Sequence, residues 1–264
     1  MALHPDRANR ASFPNPSAHL FTQLANTTLT PITHHTMKST LLAITLLAVG
    51  IAPAFAQTTI AKWTFETSAP TTAGSFAPEI GSGLASAFHA SASTYSSPAG
   101  NGSAHSFSSN TWAVGDYYQF QVSTTGYSNI NITWDQISSN TGPKDFSLLY
   151  STDGLTYLNA ISSYTVLANA TPNTWSSATP VSTTSYSFDF SGISAINNQA
   201  AVYFRLRDFD TISANGGTVA AGGTDRVDNV AVTVIPEPTT YALLAGVATF
   251  AIVLWRRKVN AITA

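Results

Sequence analysis

Apolar and polar residues alternate in several short stretches along the middle of the chain. In residues 118–122 the first, third and fifth positions are apolar or aromatic, and the two between them are glutamine. The same period of two recurs in five further stretches: 130–134, 146–150, 186–190, 202–206 and 230–234. This period places alternate side chains on one face of a strand. The pattern therefore predicts two stacked antiparallel sheets, an all-β sandwich over residues 57–234.

Turn-forming residues separate the predicted strands. Asp153-Gly154 lies between the apolar stretches 148–150 and 155–157, and glycine accepts the positive φ angle that a tight hairpin needs. We therefore predict a β-hairpin at this pair. Residues 193–199 fit one short helical turn, and the rest of the predicted sandwich shows no helical period.

The first of two longer apolar segments has the organisation of a secretory signal peptide. Met37-Lys38 is a short cationic start, residues 41–52 are apolar, and Ala54-Phe55-Ala56 supplies the small residues of a cleavage site. We expect the Sec export machinery to use residues 37–56 as a signal helix, whose removal leaves Gln57 first. Two interpretations of the polar residues 1–36 stay open: a wrongly assigned upstream start, or a disordered leader.

The second apolar segment lies near the end of the chain. Residues 239–255 carry no charge, and a helix of that length spans roughly 25 Å, just enough to cross a bilayer. Three cations follow it: Arg256, Arg257 and Lys258. Cations stay on the cytoplasmic side of a membrane. The sequence thus predicts a single transmembrane helix with the sandwich outside and residues 259–264 as a cytoplasmic tail.

A proline-rich motif precedes the predicted transmembrane helix. Its residues are Ile235, Pro236, Glu237 and Pro238. Motif, helix and basic stop over residues 235–258 resemble the PEP-CTERM sorting signal of Gram-negative envelope proteins, although the family usually has valine in place of the isoleucine. The alternative is an ordinary tail anchor that contains Pro-Glu-Pro by coincidence.

The PEP-CTERM resemblance implies a route through the cell. The chain would be anchored in the inner membrane, facing the periplasm, until an exosortase-type membrane protease recognises the Pro-Glu-Pro motif. It would then reach the cell surface or the extracellular space. Sorted proteins of this family commonly accompany exopolysaccharide in biofilm-forming bacteria, so exopolysaccharide is an expected partner.

Charge and composition narrow the functions of the sandwich. Residues 57–234 contain five Lys and Arg against eleven Asp and Glu, a formal net charge of 5 − 11 = −6. Nucleic acid is therefore not expected as a partner, because phosphate binding needs a basic surface. The chain has no cysteine, so its stability must come from packing or from a bound metal.

Several core and turn segments resemble the jelly-roll domains of secreted bacterial proteins. These segments are 63–66, 117–120, 140–143, 146–151 and 226–230. The resemblance implies a jelly-roll form of the sandwich in which the first and last strands pair. Such domains serve as carbohydrate-binding, adhesive or structural modules, so the fold alone does not choose a function.

The jelly-roll resemblance also implies a structural calcium site. A Glu on the first strand and an Asp on the last strand can meet there, and Glu66, Asp225 and Asp228 fit that layout. Carboxylate oxygens are the ligands that calcium prefers. In the alternative interpretation Asp228 accepts backbone N–H groups of a turn or pairs with a nearby arginine. No other cofactor is expected.

Aromatic residues in or beside loops are candidates for stacking on sugar rings. They are Trp112, Tyr127, Tyr157 and Trp175. An exposed rigid ring with nearby amides suits carbohydrate. The alternative is that these rings fill the core or anchor loops, as tryptophan does in most domains of this size.

Catalytic motifs are scarce in the sandwich. Its histidines are His89 and His105, both in Ser-, Ala- and Gly-rich segments, and it has no Gly-x-Ser-x-Gly motif. We therefore expect no enzyme activity. The sequence favours a non-catalytic cell-surface or matrix protein, with a specific carbohydrate-binding module as the alternative and a two-carboxylate glycan hydrolase as a third possibility.

Overall fold

The computed structural model describes residues 57–236 and 238–262, and it describes side chains over 57–235 and 246–258. The predicted leader and signal peptide therefore lie outside the described residues. Ala54 and Ala56 of the predicted signal-peptide cleavage site and Glu237 of the predicted sorting motif also lie outside the described residues.

Two antiparallel sheets make up the described part of residues 57–236. Sheet one consists of β1 (Thr58–Trp63), β2 (Ile80–Gly81), β4 (Tyr95–Ser96), β5 (Phe107–Ser109), β7 (Tyr127–Ser138), β10 (Ser185–Asp189) and β12 (Asp225–Pro236). Sheet two consists of β3 (Leu84–Phe88), β6 (Tyr117–Val122), β8 (Asp145–Ser151), β9 (Leu158–Thr165) and β11 (Val202–Asp208). All six alternating stretches are strands, so the predicted all-β sandwich is confirmed. Short 3₁₀ turns occur at Ser182–Thr184 and Ser194–Ile196.

The strand order places the two ends of the sandwich side by side. Sheet one runs β10-β7-β12-β1-β2, with β5 also pairing β12 and β4 pairing β5. Sheet two runs β3-β6-β11-β8-β9. β1 and β12 pair antiparallel, with Trp63 opposite Val230. The expected pairing of the first and last strands is therefore present.

Aromatic side chains fill the space between the sheets. Trp63 of sheet one and Phe120 of sheet two are both fully buried, and their ring centroids lie 5.2 Å apart. The Trp63 indole N–H donates to the Phe76 carbonyl at 3.1 Å, which satisfies its one polar atom. Burial of large aromatic rings is a major source of stability. The core-facing residues are those that the period of two identifies.

The predicted hairpin at Asp153-Gly154 is present, with one difference. β8 and β9 pair antiparallel, and Gly154 has a φ of 73°. The second strand begins at Leu158, so residues 155–157 belong to the connection and not to a strand. This longer connection brings Tyr157 to the outside of sheet two.

One α-helix, α1 (Pro238–Ile262), follows β12. Its side chains over 246–258 are exposed, including Val247, Phe250 and Trp255. Within the described residues no helix is long and apolar enough to cross a membrane. The transmembrane span predicted over residues 239–255 is thus not found there.

Candidate functional site

The two tryptophans predicted as sugar platforms are buried. Trp112 is 7% exposed and Trp175 is 4% exposed. The Trp112 ring packs edge-on against His89 at 4.5 Å, and Trp175 donates its indole N–H to the Thr184 hydroxyl at 2.8 Å. Tyr127 is partly buried against the core. The carbohydrate prediction is therefore wrong for both tryptophans, because these loops use them to close the core.

The three carboxylates predicted to bind calcium have separate sets of donors. Asp225 is fully buried and accepts from Gln136 Nε2 at 3.0 Å and Ser138 Oγ at 2.9 Å. Glu66 accepts the backbone N–H of His105 at 2.7 Å. No group of three His, Asp or Glu that could hold a metal occurs among the described residues.

Asp228 ties a loop to the last strand. Its Oδ2 accepts the backbone N–H of Asn101 at 2.8 Å and the hydroxyl of Ser103 at 2.6 Å, and its Oδ1 accepts the N–H of Asn229 at 2.7 Å. Burial still dominates and raises the pKa of Asp228 to about 7. The alternative interpretation, a carboxylate that accepts backbone N–H groups, is confirmed, and the predicted three-carboxylate calcium site is not assembled.

A buried relay of hydrogen bonds joins a serine, a histidine and an aspartate. His89 Nδ1 lies 3.0 Å from Asp116 Oδ2, and His89 Nε2 lies 3.0 Å from Ser109 Oγ. The side chains of His89 and Asp116 are each 1% exposed. Ser109 Oγ also contacts the Tyr118 hydroxyl at 3.1 Å. The distances suit nucleophilic catalysis, but the burial keeps a substrate away from Ser109, so we interpret the relay as structural.

A polar pocket of about 360 Å³ lies along β7 and β10. Its carboxylate, Asp135, accepts hydrogen bonds from Ser185 Oγ at 2.5 Å and from Asn229 Nδ2 at 2.9 Å. Both carboxylate oxygens therefore have protein donors already. The carboxylate of this pocket thus serves to hold β10 and Asn229 in place.

The outer surface of sheet two carries an unusual set of side chains. On β6, Tyr117 and Gln119 alternate with the buried Tyr118. On β11, Arg205 follows the buried Phe204 and lies opposite Gln119. Residues at these outward positions face away from the core. Together with two neighbours they form what we call the aromatic face: Phe88, Tyr117, Gln119, Tyr157 and Arg205.

The connection between β8 and β9 contributes Tyr157 to the aromatic face. Asp153 Oδ1 accepts the N–H groups of Leu155 and Thr156, each at 2.8 Å. These bonds, with that of Thr156 the largest cause, lower the pKa of Asp153 to about 2, and they hold the turn. The turn then places the Tyr157 ring over Arg205.

A guanidinium group lies against two tyrosine rings at the centre of the aromatic face. Arg205 Cζ is 3.8 Å from the Tyr117 ring centroid and 3.6 Å from that of Tyr157. Both rings therefore lie within cation–π distance of the same guanidinium group. Contacts of this kind are favourable cation–π interactions.

Hydrogen bonds and a further ring fix this stack. Gln119 Oε1 accepts from Arg205 Nε at 2.8 Å and from the Tyr157 hydroxyl at 2.9 Å. Phe88 stacks on Tyr117 with centroids 5.4 Å apart and an interplanar angle of 21°. The Phe88 side is open, since this residue is 49% exposed. The result is a rigid, half-exposed surface of rings with polar groups between them.

Sequence reasoning identifies one member of this site and misses the others. Tyr157 is a candidate because it follows a turn. Phe88, Tyr117 and Arg205 are not predicted as binding residues. The alternating pattern identifies the core-facing residues of each strand, and it gives no function to the outward-facing residues between them. The available signal is an aromatic or arginine at the outward position of two strands, as in Tyr117-Tyr118 and Tyr203-Phe204-Arg205.

No protein-family model and no curated protein matches the chain. A similar solved structure is the CBM22-1 xylan-binding domain from Paenibacillus barcinonensis, at 10% identity and a TM-score of 0.41, with 70% of this chain and 99% of that one covered. The CBM22-1-GH10 modules of a Clostridium thermocellum xylanase, complexed with xylohexaose, align at 12% identity and a TM-score of 0.41, over 67% and 28%. A cleaved adhesin domain of Lys-gingipain from Porphyromonas gingivalis aligns at 12% identity and a TM-score of 0.37, over 69% and 99%. Similarity at this level carries no argument about function.

Proposed function

We propose that residues 57–234 form a non-catalytic carbohydrate-binding domain of an exported cell-surface or matrix protein, and that the aromatic face is its binding surface. The observation that carries this proposal is the stack of Phe88, Tyr117, Arg205 and Tyr157 on the outside of a sheet. Rings held in place by packing lose little conformational freedom when a ligand binds.

The chemistry of the aromatic face suits a sugar. The C–H groups of a pyranose ring pack on an aromatic ring, and the hydroxyls need amide or guanidinium groups nearby. The half-exposed Phe88 ring supplies the apolar contact. Gln119 uses Oε1 for the stack, and its Nε2 donates to none of the described residues, so it can donate to a sugar hydroxyl.

Removing the apolar contact should weaken polysaccharide binding. We expect Phe88→Ala to lower affinity for the bound polysaccharide about tenfold, because an aromatic contact of this kind contributes on the order of 1 kcal/mol or more. Affinity electrophoresis against a panel of soluble polysaccharides measures the change. Tyr127→Ala is the matched control, since Tyr127 is an aromatic residue of sheet one outside the aromatic face.

Equal losses for Phe88→Ala and Tyr127→Ala would place binding elsewhere. If no polysaccharide in the panel binds, the domain is instead a matrix protein without a specific glycan site. Melting temperatures of both variants separate lost contacts from lost folding.

We further propose that Ile235, Pro236, Glu237 and Pro238 are a sorting motif for an exosortase-type protease. The support is the order of motif, apolar segment and basic stop in the sequence. In the structure Ile235 and Pro236 extend β12 and pair with Ser128 and Tyr127, so the motif continues directly from the sandwich.

The processing proposal predicts both ends of the mature chain. We expect mass spectrometry of protein recovered from the producing cells' surface to find Gln57 at the N-terminus and no peptide beyond the Pro-Glu-Pro region. Peptides that cover residues 246–258 in surface-exposed protein would contradict it. A Pro236→Ala, Pro238→Ala double variant, compared with wild type, tests whether the motif is what the protease recognises.

A further inference from the structure

We propose that the aromatic face selects an acidic polysaccharide, and that Arg205 binds a carboxylate carried by one of its sugars. This inference rests on the proposed carbohydrate-binding function and adds the chemical class of the ligand. It is carried by the position of one guanidinium group and by the charges around that group.

The stack leaves one approach to Arg205 open. The Tyr117 and Tyr157 ring centroids both lie within 3.8 Å of Arg205 Cζ, so a ligand would reach the guanidinium group at its terminal nitrogens. Nε already donates to Gln119 Oε1. The two terminal nitrogens donate to none of the described residues. In-plane N–H pairs are the geometry that binds both oxygens of a carboxylate at once.

No carboxylate of the described residues forms an ion pair with Arg205. Within the described part of the chain the ion pairs are those of His89 with Asp116 and of Lys144 with Asp145. The charged group that acts on Arg205 most clearly is a second cation, Arg207, on the same strand. Two cations, Arg205 and Arg207, thus lie on one strand of a sandwich that is negative overall, and the carboxylate that acts on Tyr157 is that of Asp153 in the neighbouring turn.

The arginine of β12 shows the contrast. Arg226 also lies near an aromatic ring, with Cζ 5.2 Å from the Trp175 centroid, and it donates to the Ala99 carbonyl at 2.8 Å. Two aspartates, Asp225 and Asp228, raise its pKa against the effect of burial. No carboxylate does so for Arg205, whose pKa burial lowers. A partly buried cation without a partner is stabilised by an anion that arrives with a ligand.

The neighbouring ring sets where the sugar lies. Phe88 stacks on the side of Tyr117 and is 49% exposed. Because β6 lies between β3 and β11, Tyr117 separates Phe88 from Arg205, so one sugar of a chain would stack on Phe88 and a neighbouring sugar would reach the guanidinium group. A neutral sugar uses the ring but leaves the charge unpaired, whereas a uronic acid uses both.

The test compares one polymer in two charge states. Affinity of the purified sandwich domain, and of the full chain, is measured by titration calorimetry for polygalacturonate, for the same polymer after reduction of its carboxyl groups, and for dextran sulfate. We expect polygalacturonate to bind at least tenfold more tightly than its reduced form. Arg205→Gln should lower the affinity for polygalacturonate about 10- to 100-fold, as loss of a charge-assisted contact does, and lower that for the reduced polymer by a clearly smaller factor, because a neutral sugar loses only an uncharged hydrogen-bond partner.

Controls separate a specific site from a general charge effect. Arg207→Gln removes the same charge from the same strand. Arg207 lies opposite Tyr117, but among the described residues its side chain adds no hydrogen bond or ring contact to the stack, and we expect less than about a threefold change. Arg205→Lys keeps the charge but loses the in-plane fork, so it should resemble Arg205→Gln. Should Arg205→Gln unfold the domain, as its melting temperature would show, Arg205→Lys carries the test.

Three results would overturn the proposal. They are equal affinity for the two forms of polygalacturonate, equal effects of Arg205→Gln and Arg207→Gln, and equally tight binding of dextran sulfate. Binding of neutral polymers at least as tightly as polygalacturonate, dependent on Phe88 and not on Arg205, would overturn this inference alone. Failure of every polymer to bind would overturn the proposed function itself.

Discussion

Replacing Asp208 by asparagine should stabilise the domain by about 2–4 kcal/mol at pH 8 and leave it almost unchanged at pH 4. Asp208 is 1% exposed, and neither of its carboxylate oxygens accepts a hydrogen bond of good geometry from the described residues. Burial raises its pKa to about 7, the nearby carboxylates of Asp116 and Asp210 add to the effect, and the nearby backbone N–H groups of Asp210 and Phe209 lower the pKa only slightly. A charge in such a place destabilises the folded state.

The pH dependence follows from the direction of the shift. Below about pH 4 both the folded and the unfolded state hold the proton on Asp208, so the group costs nothing. Between about pH 4 and pH 7 the folded state keeps a proton that the unfolded state has released, so stability falls as pH rises. Above pH 7 both states are ionised and the cost is constant. Asparagine has no proton to lose, so the variant should lose the part of this slope that Asp208 contributes, while the part contributed by Asp228, whose pKa is also about 7, remains.

Urea denaturation at pH 4, 6 and 8 measures the effect. Asp189→Asn is the control, because Asp189 is exposed and its carboxylate caps a local turn through the N–H of Ser191 at 2.8 Å. An unchanged slope in Asp208→Asn would refute burial of this carboxylate as the cause of the pH dependence. A loss of stability at pH 8 would mean that the carboxylate of Asp208 pairs with a cation.

The strands could be predicted because alternation is a local property. Tyr118, Phe120 and Val122 identify β6 without any knowledge of its partners, and the pairing of β1 with β12 followed from the jelly-roll resemblance. The position of a loop side chain is different. Trp112 is buried because it meets His89, a residue of another segment, and no local pattern predicts that meeting.

The candidate sites depended on contacts of the same non-local kind. Asp228 lies on the last strand, as the calcium hypothesis required, but the loop that contains Asn101 and Ser103 supplies the donors that a metal would have replaced. The stack on Arg205 needs a strand of sheet two and the turn that ends in Tyr157. Each of these two sites consists of residues that lie far apart in the sequence and that only the fold brings into contact. Local sequence patterns therefore could not predict the chemistry of either site.

Trp63→Ala should destabilise the domain by about 3–5 kcal/mol, the largest loss that we expect from a single substitution. Trp63 is fully buried and joins the two sheets, since it lies on β1 and its ring packs on Phe120 of β6 at 5.2 Å. The space that it fills is tight, because a Cβ atom built on Gly83 would lie 3.0 Å from the Trp63 ring. Alanine would leave a cavity that a rigid sandwich cannot close, and the Phe76 carbonyl would lose one of its two donors and keep the backbone N–H of Ala85.

Two comparisons make the Trp63 prediction specific. Trp63→Phe keeps most of the buried ring but loses the N–H, so it should lose clearly less than the alanine variant. Phe88→Ala removes a ring from the outside of sheet two and should cost under about 1 kcal/mol. Urea denaturation of the three variants measures all of this. Similar losses in the free energy of unfolding for Trp63→Ala and Phe88→Ala would mean that Trp63 does not hold the sheets together. They would also contradict the placement of Trp63 in the core and of Phe88 on the outer surface of sheet two.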